Sequence, residues 1–381
     1  MNVLFLDQFS EIGGAQRVLL DTLDAVGELG WRAHVAVPGN GPLAEKLRNR
    51  KIAVTPLPCG PYESGKKSTR DLLRFVLDLP HQTRAIADLD KRIGFDLLYV
   101  NGPRLLPAAA LSECAPVLFH AHSDIPQRRA MKLAQWAIRR MGATVAACSN
   151  SVAGAFRNCV SPDRLHVIPN GVREIKFRQR DFRPGGSWRI GMLGRISPEK
   201  GQAELLRAIK LGLPRLANAR FLIFGAQLFG ATEYFSTVQE LARDLPVEFR
   251  GWQEDLDVVF DDLDLLVVPS LQEGMGRVVI EAFSAGVPVI AFPTGGIPEV
   301  IADGETGFLT RERSPTALAA RLVQIITGDP EYPRRVAGQA RCAWERAYRV
   351  DIYQKRITEL MLNVVSARSS VRETAGPPPR K

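Results

Sequence analysis

Short runs rich in β-branched and aromatic residues alternate with stretches of helical spacing along nearly the whole chain, and nothing else in the sequence narrows the fold so far. Neighbouring parallel strands need a long crossover, usually a helix, so this alternation selects parallel α/β domains over sandwiches and bundles. The pattern predicts strands at 3–7, 33–37, 53–57, 97–100, 117–121, 144–148 and 166–168, with the first helix at 15–29. Periodicity lapses at 173–187, REIKFRQRDFRPGGS, a charged stretch ending in Pro-Gly-Gly that reads as an interdomain linker. Strands resume at 190–193, 221–224, 247–250, 265–269, 289–291 and 307–309. With 381 residues, and roughly 100–200 residues to a domain, two doubly wound domains are expected, at 1–175 and 188–350. Helical spacing returns at 351–366, and the polar, Pro-rich end, 367–381, reads as a disordered tail.

The chain carries 50 Lys and Arg against 41 Asp and Glu, a net charge of +9, which favours an anionic partner such as phosphate, nucleic acid or an acidic membrane face. No aromatic nucleic-acid-binding motif accompanies the charge, so no specific nucleic acid is expected. Five scattered cysteines, Cys59, Cys114, Cys148, Cys159 and Cys342, lack C-x-x-C spacing and cannot all pair. They read as reduced thiols of a cytoplasmic protein. No run approaches the ~18 apolar residues of a membrane span, and residues 1–10 lack the pattern of a signal peptide. Any membrane contact would be peripheral, on the inner face.

In open α/β sheets ligands bind beyond the carboxyl ends of the strands, which gives weight to the residues just after each strand. Gly13-Gly14 precedes the first helix, where missing side chains let a phosphate reach backbone amides at the positive helix end; a plain turn explains the pair equally well. G-x-G-x-x-G is absent there, so the dinucleotide fingerprint is not met. Gly191-Met-Leu-Gly194-Arg195-Ile-Ser-Pro-Glu-Lys200-Gly201 places two cations and a glycine-rich turn before a helix at Gln202, the composition of a diphosphate cradle. Farther on, LQEGMGRVVIEAFSAGVPVIAFPTGGIPE predicts a helix from near Gly276, with Glu273 in the loop before it and Glu281 somewhat over one turn inside. Carboxylates accept hydrogen bonds from hydroxyls, which makes sugar and ribose their natural partners.

These motifs together resemble the retaining GT-B glycosyltransferases of family four, the glycosyl transferases group 1 class. The resemblance spans most of the chain: Gly13-Gly14, His120 in FHAHSD, Ser149 in ACSNSV, VIPNGV at 167–172, GRISPEKG at 194–201, IFG at 223–225, and the long block from EGMGR to 301. It implies two doubly wound Rossmann-like domains facing across a cleft, with the final helix crossing back onto the first domain. The nucleotide-sugar donor would sit mainly on the second domain and the acceptor mainly on the first. By that analogy Arg195 and Lys200 bind the diphosphate, Glu281 the ribose, and Glu273 with Gly274, Met275 and Gly276 the transferred sugar. Gly13, Gly14 and Gly194 complete the donor contacts. His120 would touch the sugar from the first domain, and the catalytic set would be His120, Arg195, Lys200 and Glu273. No metal and no cofactor beyond the nucleoside diphosphate sugar is implied. The implied activity is transfer of a hexose, with retention, to a hydroxyl of a glycan, lipid-linked saccharide or small molecule in cell-envelope polysaccharide or glycoconjugate synthesis.

Two departures from the family pattern stand out: IFG is followed by Ala226-Gln227 rather than a second glycine, and the usual EGFG with an apolar follower is EGMGR. Arg277 reads first as a surface charge at a helix start, with an acidic sugar or acceptor as the other options. His120 and His122 could suggest a metal, but spacing i, i+2 on a strand should put the rings on opposite faces, and no Cys or carboxylate cluster joins them. For acceptor or anionic-membrane contacts the candidates are Lys66, Lys67 and Arg70, and the basic segment 125–141 with Arg128, Arg129, Lys132 and Trp136, where a solvated helix face explains the charge equally well. Two other readings remain open: a sugar-nucleotide epimerase on the same plan, and a noncatalytic sugar-nucleotide-binding protein.

Overall fold

The computed structural model describes residues 1–60, 69–183, 186–227 and 232–374. The chain divides into two compact units, one formed by Met1–Pro169 with the chain from Asp351, the other by Asn170–Val350. The first unit holds a seven-stranded sheet made of β1 (Asn2–Leu6), β2 (Arg32–Pro38), β3 (Ala53–Leu57), β4 (Leu97–Val100), β5 (Val117–Ala121), β6 (Thr144–Ala147) and β7 (Leu165–Val167). Their spatial order is β3-β2-β1-β4-β5-β6-β7, and every pairing is parallel. The second unit holds β8 (Trp188–Leu193), β9 (Ala219–Phe224), β10 (Val247–Gly251), β11 (Leu265–Val268), β12 (Val289–Ala291) and β13 (Phe308–Leu309), in the order β10-β9-β8-β11-β12-β13, again all parallel.

Both orders reverse direction once, between β1 and β4 and between β8 and β11, the arrangement that opens a ligand crevice at the carboxyl edge of such a sheet. Central strands β4, β6 and β11 are buried at every residue because helices cover both faces. Pro56 breaks no ladder, because β3 is an edge strand with no neighbour on its far side.

The helix Val350–Thr374 contributes Tyr353, Ile357, Leu360 and Met361 to the buried core of the first unit, beside Val3, Leu19 and Tyr99. Tyr353 closes the contact with a hydroxyl pair: Thr22 Oγ1 donates to Val18 O at 2.9 Å, so at 2.6 Å it accepts from the Tyr353 hydroxyl. The backbone stays helical through residues 367–374, which composition assigns to the disordered tail; no glycine or proline interrupts the chain before Gly376. Residues 375–381 lie outside the described residues.

The charged stretch read as a linker is docked on the second unit. Phe182 stacks on Trp188 with ring centroids 4.9 Å apart. Arg180, only 4% exposed, donates to the carbonyls of Leu263 and Phe260 at 2.6 Å, Ala285 at 2.9 Å, Gly286 at 3.1 Å and Arg178 at 2.7 Å. Four of these carbonyls lie at or just past the ends of the helices Leu256–Asp261 and Arg277–Ala285. One guanidinium therefore satisfies orphan carbonyls at two helix C-termini and places its charge against both negative dipole ends. Burial lowers its pKa to about 10, which still leaves it charged at neutral pH. Arg180→Met should cost roughly 3 kcal/mol of stability, because buried carbonyls lose their donors. Arg180→Lys, with three donors instead of five, should recover about half. Urea unfolding of both variants, followed by tryptophan fluorescence, checks the order.

Candidate functional site

In the second unit, loops at the carboxyl edge converge on the β8/β11 switch point. Beyond β8 the chain passes Gly194, Arg195 and a 3-10 turn, Pro198–Lys200, before the helix Gln202–Gly212. Beyond β11 it runs through Ser270 and Glu273 to Gly276, which caps the helix Arg277–Ala285 with a φ of +82°. Two glycines lock these loops together. A Cβ at Gly201 (φ +80°) would lie 2.0 Å from the carbonyl oxygen of Pro269, and one at Gly295 (φ +56°) only 1.7 Å from that of Glu273. No side chain fits either place, and the conformation itself is one that only glycine adopts readily. The Leu271 amide donates to Glu199 O at 2.8 Å and completes the bridge between the loops.

The side chains at this edge are paired. Lys200 Nζ donates to Glu273 Oε1 at 2.5 Å, and the buried Ser270 hydroxyl donates to the same oxygen at 2.9 Å. Arg195 meets Glu199 at 2.8 Å, and Arg277 Nε donates to Glu281 Oε1 at 3.0 Å. Gln202, fully buried, holds the turn with its amide group: it donates to Arg195 O at 2.8 Å and accepts from the Ser197 amide at 3.3 Å. Lys200 and Glu273 thus meet across the switch point, with Arg195 on the loop that leads to Lys200 and Glu281 on the helix that follows β11. Met275 is buried, and its sulfur accepts from the Asn170 amide at 3.2 Å, so its side chain fills the interior behind the loop.

Arg277 departs from its reading as a surface charge. Its side chain is 15% exposed and engages a carboxylate one turn on, because the i, i+4 spacing puts Arg277 and Glu281 on the same helix face.

The first unit builds a different kind of cluster at its β1/β4 switch point. Asp7 is fully buried and accepts from the Phe9 amide at 2.8 Å, from Gln16 Nε2 at 3.0 Å and from Asn101 Nδ2 at 2.6 Å. Since Asn101 Nδ2 donates to Asp7, its Oδ1 accepts from His122 Nε2 at 2.8 Å, which fixes the proton on that ring nitrogen. The His120 ring lies 4.0 Å, centroid to centroid, from that of His122. The expectation of opposite faces fails because β5 ends at Ala121 and the chain has left the strand at His122. His120 Nδ1 pairs with the Tyr99 hydroxyl at 2.5 Å, while its buried Nε2 has no hydrogen-bond partner. Burial, then the neighbouring His122, holds the His120 pKa well below the usual histidine range, and burial pushes the Tyr99 hydroxyl well above its own. His120 is only 1% exposed, so it sits inside the unit rather than on its rim.

Gly13 caps the helix Gly14–Glu28, its amide donating to Gln16 Oε1 at 3.1 Å, and a Cβ at Gly14 would meet nothing within 4 Å. Lys66 and Lys67 lie outside the described residues, and of Arg70 only the backbone is described. Arg128, Arg129, Lys132 and Trp136 are exposed on the helix Arg128–Met141, whereas Ile138 is buried and serves the core. Among the described residues no group of three or more His, Cys, Asp or Glu side chains is placed to hold a metal ion. Asp7, Tyr99, Asn101 and Ser270 are absent from the residues singled out in the sequence; Asp7, Asn101 and Ser270 follow switch-point strands, and that position was the available signal.

Burial outweighs the donors around Asp7, from Asn101, Gln16 and the backbone of Phe9 and Gln8, and raises its pKa to about 6. The folded protein holds this proton at pH values where the unfolded chain, with an ordinary carboxyl near 3.8, has released it. Stability should therefore fall as pH rises from about 4 to about 6, by roughly 3 kcal/mol in all. Asp7→Asn should remove that slope. Urea unfolding at about pH 4.5 and 7.5 checks it: about a third of the loss has already occurred at the lower pH, so the stability difference between wild type and variant should change by roughly 2 kcal/mol, and a constant difference would contradict the ionisation.

Residues 12–174 match the family described as Glycosyltransferase Family 4, and residues 187–328 match Glycosyl transferases group 1. A D-inositol 3-phosphate glycosyltransferase of Streptomyces scabiei is 32% identical over 241 residues, 58% of this chain and 54% of that protein. An alpha-maltose-1-phosphate synthase of Mycolicibacterium smegmatis is 30% identical over 230 residues, 51% of this chain and 58% of that protein. The chain thus spans about half the length of these curated relatives. In fold it is similar to HepE of Anabaena, solved in complex with UDP-glucose, with a TM-score of 0.79, 23% identity, and 95% of this chain and all of that one covered (100%). It is likewise similar to a sucrose-phosphate synthase of Thermosynechococcus elongatus, with a TM-score of 0.80, 19% identity, and coverage of 96% and 100%. With one family model on each unit and this two-domain Rossmann-like fold, the chain belongs to the family-4 glycosyltransferases of the GT-B class.

Proposed function

We propose that the protein is a retaining hexosyltransferase that takes its sugar from a nucleoside diphosphate donor and delivers it to a hydroxyl of a glycan, lipid-linked saccharide or small-molecule acceptor. One observation carries this reading: Lys200 and Glu273 pair across the β8/β11 switch point on loops locked by Gly201 and Gly295, with Arg195 on the first loop and Glu281 on the helix that follows the second. The UDP-glucose complex of a protein with the same fold supports a donor of that class, and the names of the inositol-phosphate and maltose-phosphate relatives support transfer to a hydroxylated acceptor.

Each residue has a chemical part. Departure of a nucleoside diphosphate builds negative charge on the leaving phosphate and positive charge at the anomeric carbon. Arg195 and Lys200 stabilise the phosphate as it leaves, and the glycine backbone beside them allows amide contacts at no steric cost. Glu281 accepts ribose hydroxyls, since a carboxylate engaged by Arg277 at one oxygen keeps lone pairs on both. Glu273, oriented by Lys200 and Ser270, accepts hydroxyls of the transferred sugar. Same-face attack, with the leaving phosphate taking the acceptor proton, needs no carboxylate nucleophile and no metal. The exposure of Arg128, Arg129, Lys132 and Trp136 supports the reading of the helix Arg128–Met141 as an acceptor-side surface.

Nucleotides and their sugar conjugates should raise the thermal stability of the wild type selectively, since a ligand that binds only the folded state stabilises it. Arg195→Ala and Glu281→Gln should each weaken donor binding by roughly 30-fold, the worth of a hydrogen bond to a charged group. A full panel of UDP, GDP and ADP conjugates with no shift would overturn the donor site. The anomeric configuration of the product, read by proton NMR, should match that of the donor; an inverted linkage would overturn retention.

A further inference from the structure

The helix Thr69–Ile93 carries its apolar residues on the outside over its first half. Leu72, Leu73, Val76 and Leu77 are 60%, 61%, 56% and 60% exposed, and their spacing puts them on one face. The opposite, inward face mixes polar and apolar groups: Asp71 and Gln82 are buried, and Arg74, Phe75, Asp78 and Leu79 are half-buried. An ordinary surface helix would turn the four exposed apolar residues inward and these polar ones outward. It is no slip of register, because the inward polar groups are anchored: Asp78 accepts from the Gly60 amide at 3.2 Å, and Gln82 donates to Pro58 O at 3.2 Å. Farther along, the ordinary order returns, with Ile86 and Leu89 buried and His81, Arg84 and Asp88 exposed.

This helix packs beside Leu106–Ser112, which packs beside the cationic helix Arg128–Met141. Helices that follow parallel strands begin at the carboxyl edge of the sheet, so the apolar stripe and the cations Arg128, Arg129 and Lys132 occupy the same edge of one helical layer. The cationic helix holds Arg128, Arg129, Lys132, Arg139 and Arg140 and no carboxylate, with Leu133 and Trp136 exposed among them. On the apolar helix the acids of the first turns, Asp71 and Asp78, point inward and away from this face.

We propose that this layer docks the protein on an anionic lipid bilayer, with Leu72, Leu73, Val76 and Leu77 inserted at the acyl boundary and Arg128, Arg129 and Lys132 on headgroup phosphates. Charge complementarity selects the bilayer over a second copy of the chain: two such layers face to face would oppose cation to cation. Four side chains over two turns also fall well short of the roughly 800 Å² per partner of a stable protein interface. The inference deepens the reading of the first unit as the acceptor side, since it assigns that unit a membrane surface; its test uses no glycosyl transfer, so the two can fail separately.

The test is flotation of the full chain with vesicles of phosphatidylglycerol and phosphatidylcholine, against phosphatidylcholine alone, for wild type, Leu73→Glu/Leu77→Glu and Arg128→Glu/Lys132→Glu. The wild type should float with the anionic vesicles, and each double variant should lose roughly tenfold or more of that partition. The apolar variant should lose it at low and high salt alike, the charge variant mainly at low salt. Both variants alter exposed positions, so circular dichroism and nucleotide-induced thermal shifts should match the wild type. No flotation of the wild type, or full flotation of Leu73→Glu/Leu77→Glu, would overturn the proposal. A wild-type dimer in light scattering that Leu73→Glu/Leu77→Glu makes monomeric would also overturn it, in favour of a second copy. Flotation without any nucleotide response would leave the docking surface standing and remove the donor reading instead.

Discussion

The candidate donor site depends on backbone lying against backbone. Gly295 brings the loop after β12 against the carbonyl of Glu273, and Gly201 brings the helix entry after β8 against the carbonyl of Pro269. A single methyl group at either position would separate three loops that otherwise act as one rigid rim. Side chains with many rotamers, such as Arg195, Lys200 and Glu273, can be held to a usable geometry only on such a rim. Their ion pairs with Glu199 and with each other then bias their rotamers at little cost, because half-buried pairs keep part of their solvation.

The two switch points solve the same topological problem with opposite chemistry. In the second unit the polar side chains of the crevice are partly open to solvent and paired with countercharges that a ligand's phosphates and hydroxyls could replace. In the first unit they are sealed: Asp7, Asn101, Tyr99 and His120 are all nearly inaccessible and tied to one another or to backbone. A low local dielectric makes such a network stiff when satisfied and costly wherever an atom is left over. One such atom is the Nε2 of His120, and the conflict between burial and charge appears in the raised pKa of Asp7. The sealed cluster fixes the proton on His122 through Asn101, so the position of that proton is decided at Asp7, on a different strand.

Much of this architecture was legible in the chain. All thirteen strands among the described residues fall within about two residues of the runs of β-branched and aromatic side chains, because parallel strands buried on both faces must read as short apolar blocks. The helix starts at Gly14, Gln202 and Arg277 were visible from the glycines that precede or open them. Part of what escaped the sequence has one cause: partners distant along the chain. Asp7 meets Asn101 94 residues away, and Arg180 reaches Leu263 at 83 and Gly286 at 106. Periodicity carries no information about such pairs, so Arg180 looked like one more charge in a linker although it closes two helix ends. His120 and His122 were misjudged for a local reason, since alternation holds only as far as the strand does, and β5 stops between them.

The inverted helix shows the same limit from the other side. A hydrophobic pattern gives the period of a helix and the existence of an apolar face, but not which face turns inward when polar anchors are available. At Thr69–Ile93 the anchors decide: Asp78 and Gln82 find backbone partners in the segment ending at Gly60, and each such part-buried bond resists the half-turn that would hide the leucines. The protein thereby holds apolar surface in water, a standing cost that burial elsewhere in the fold must offset. Such a cost is best explained by what the surface contacts, and the neighbouring cations on Arg128–Met141 narrow that contact to something both apolar and anionic. An anionic bilayer has both properties within one depth of the interface, which is why the stripe and the charges belong to one surface rather than to two unrelated features.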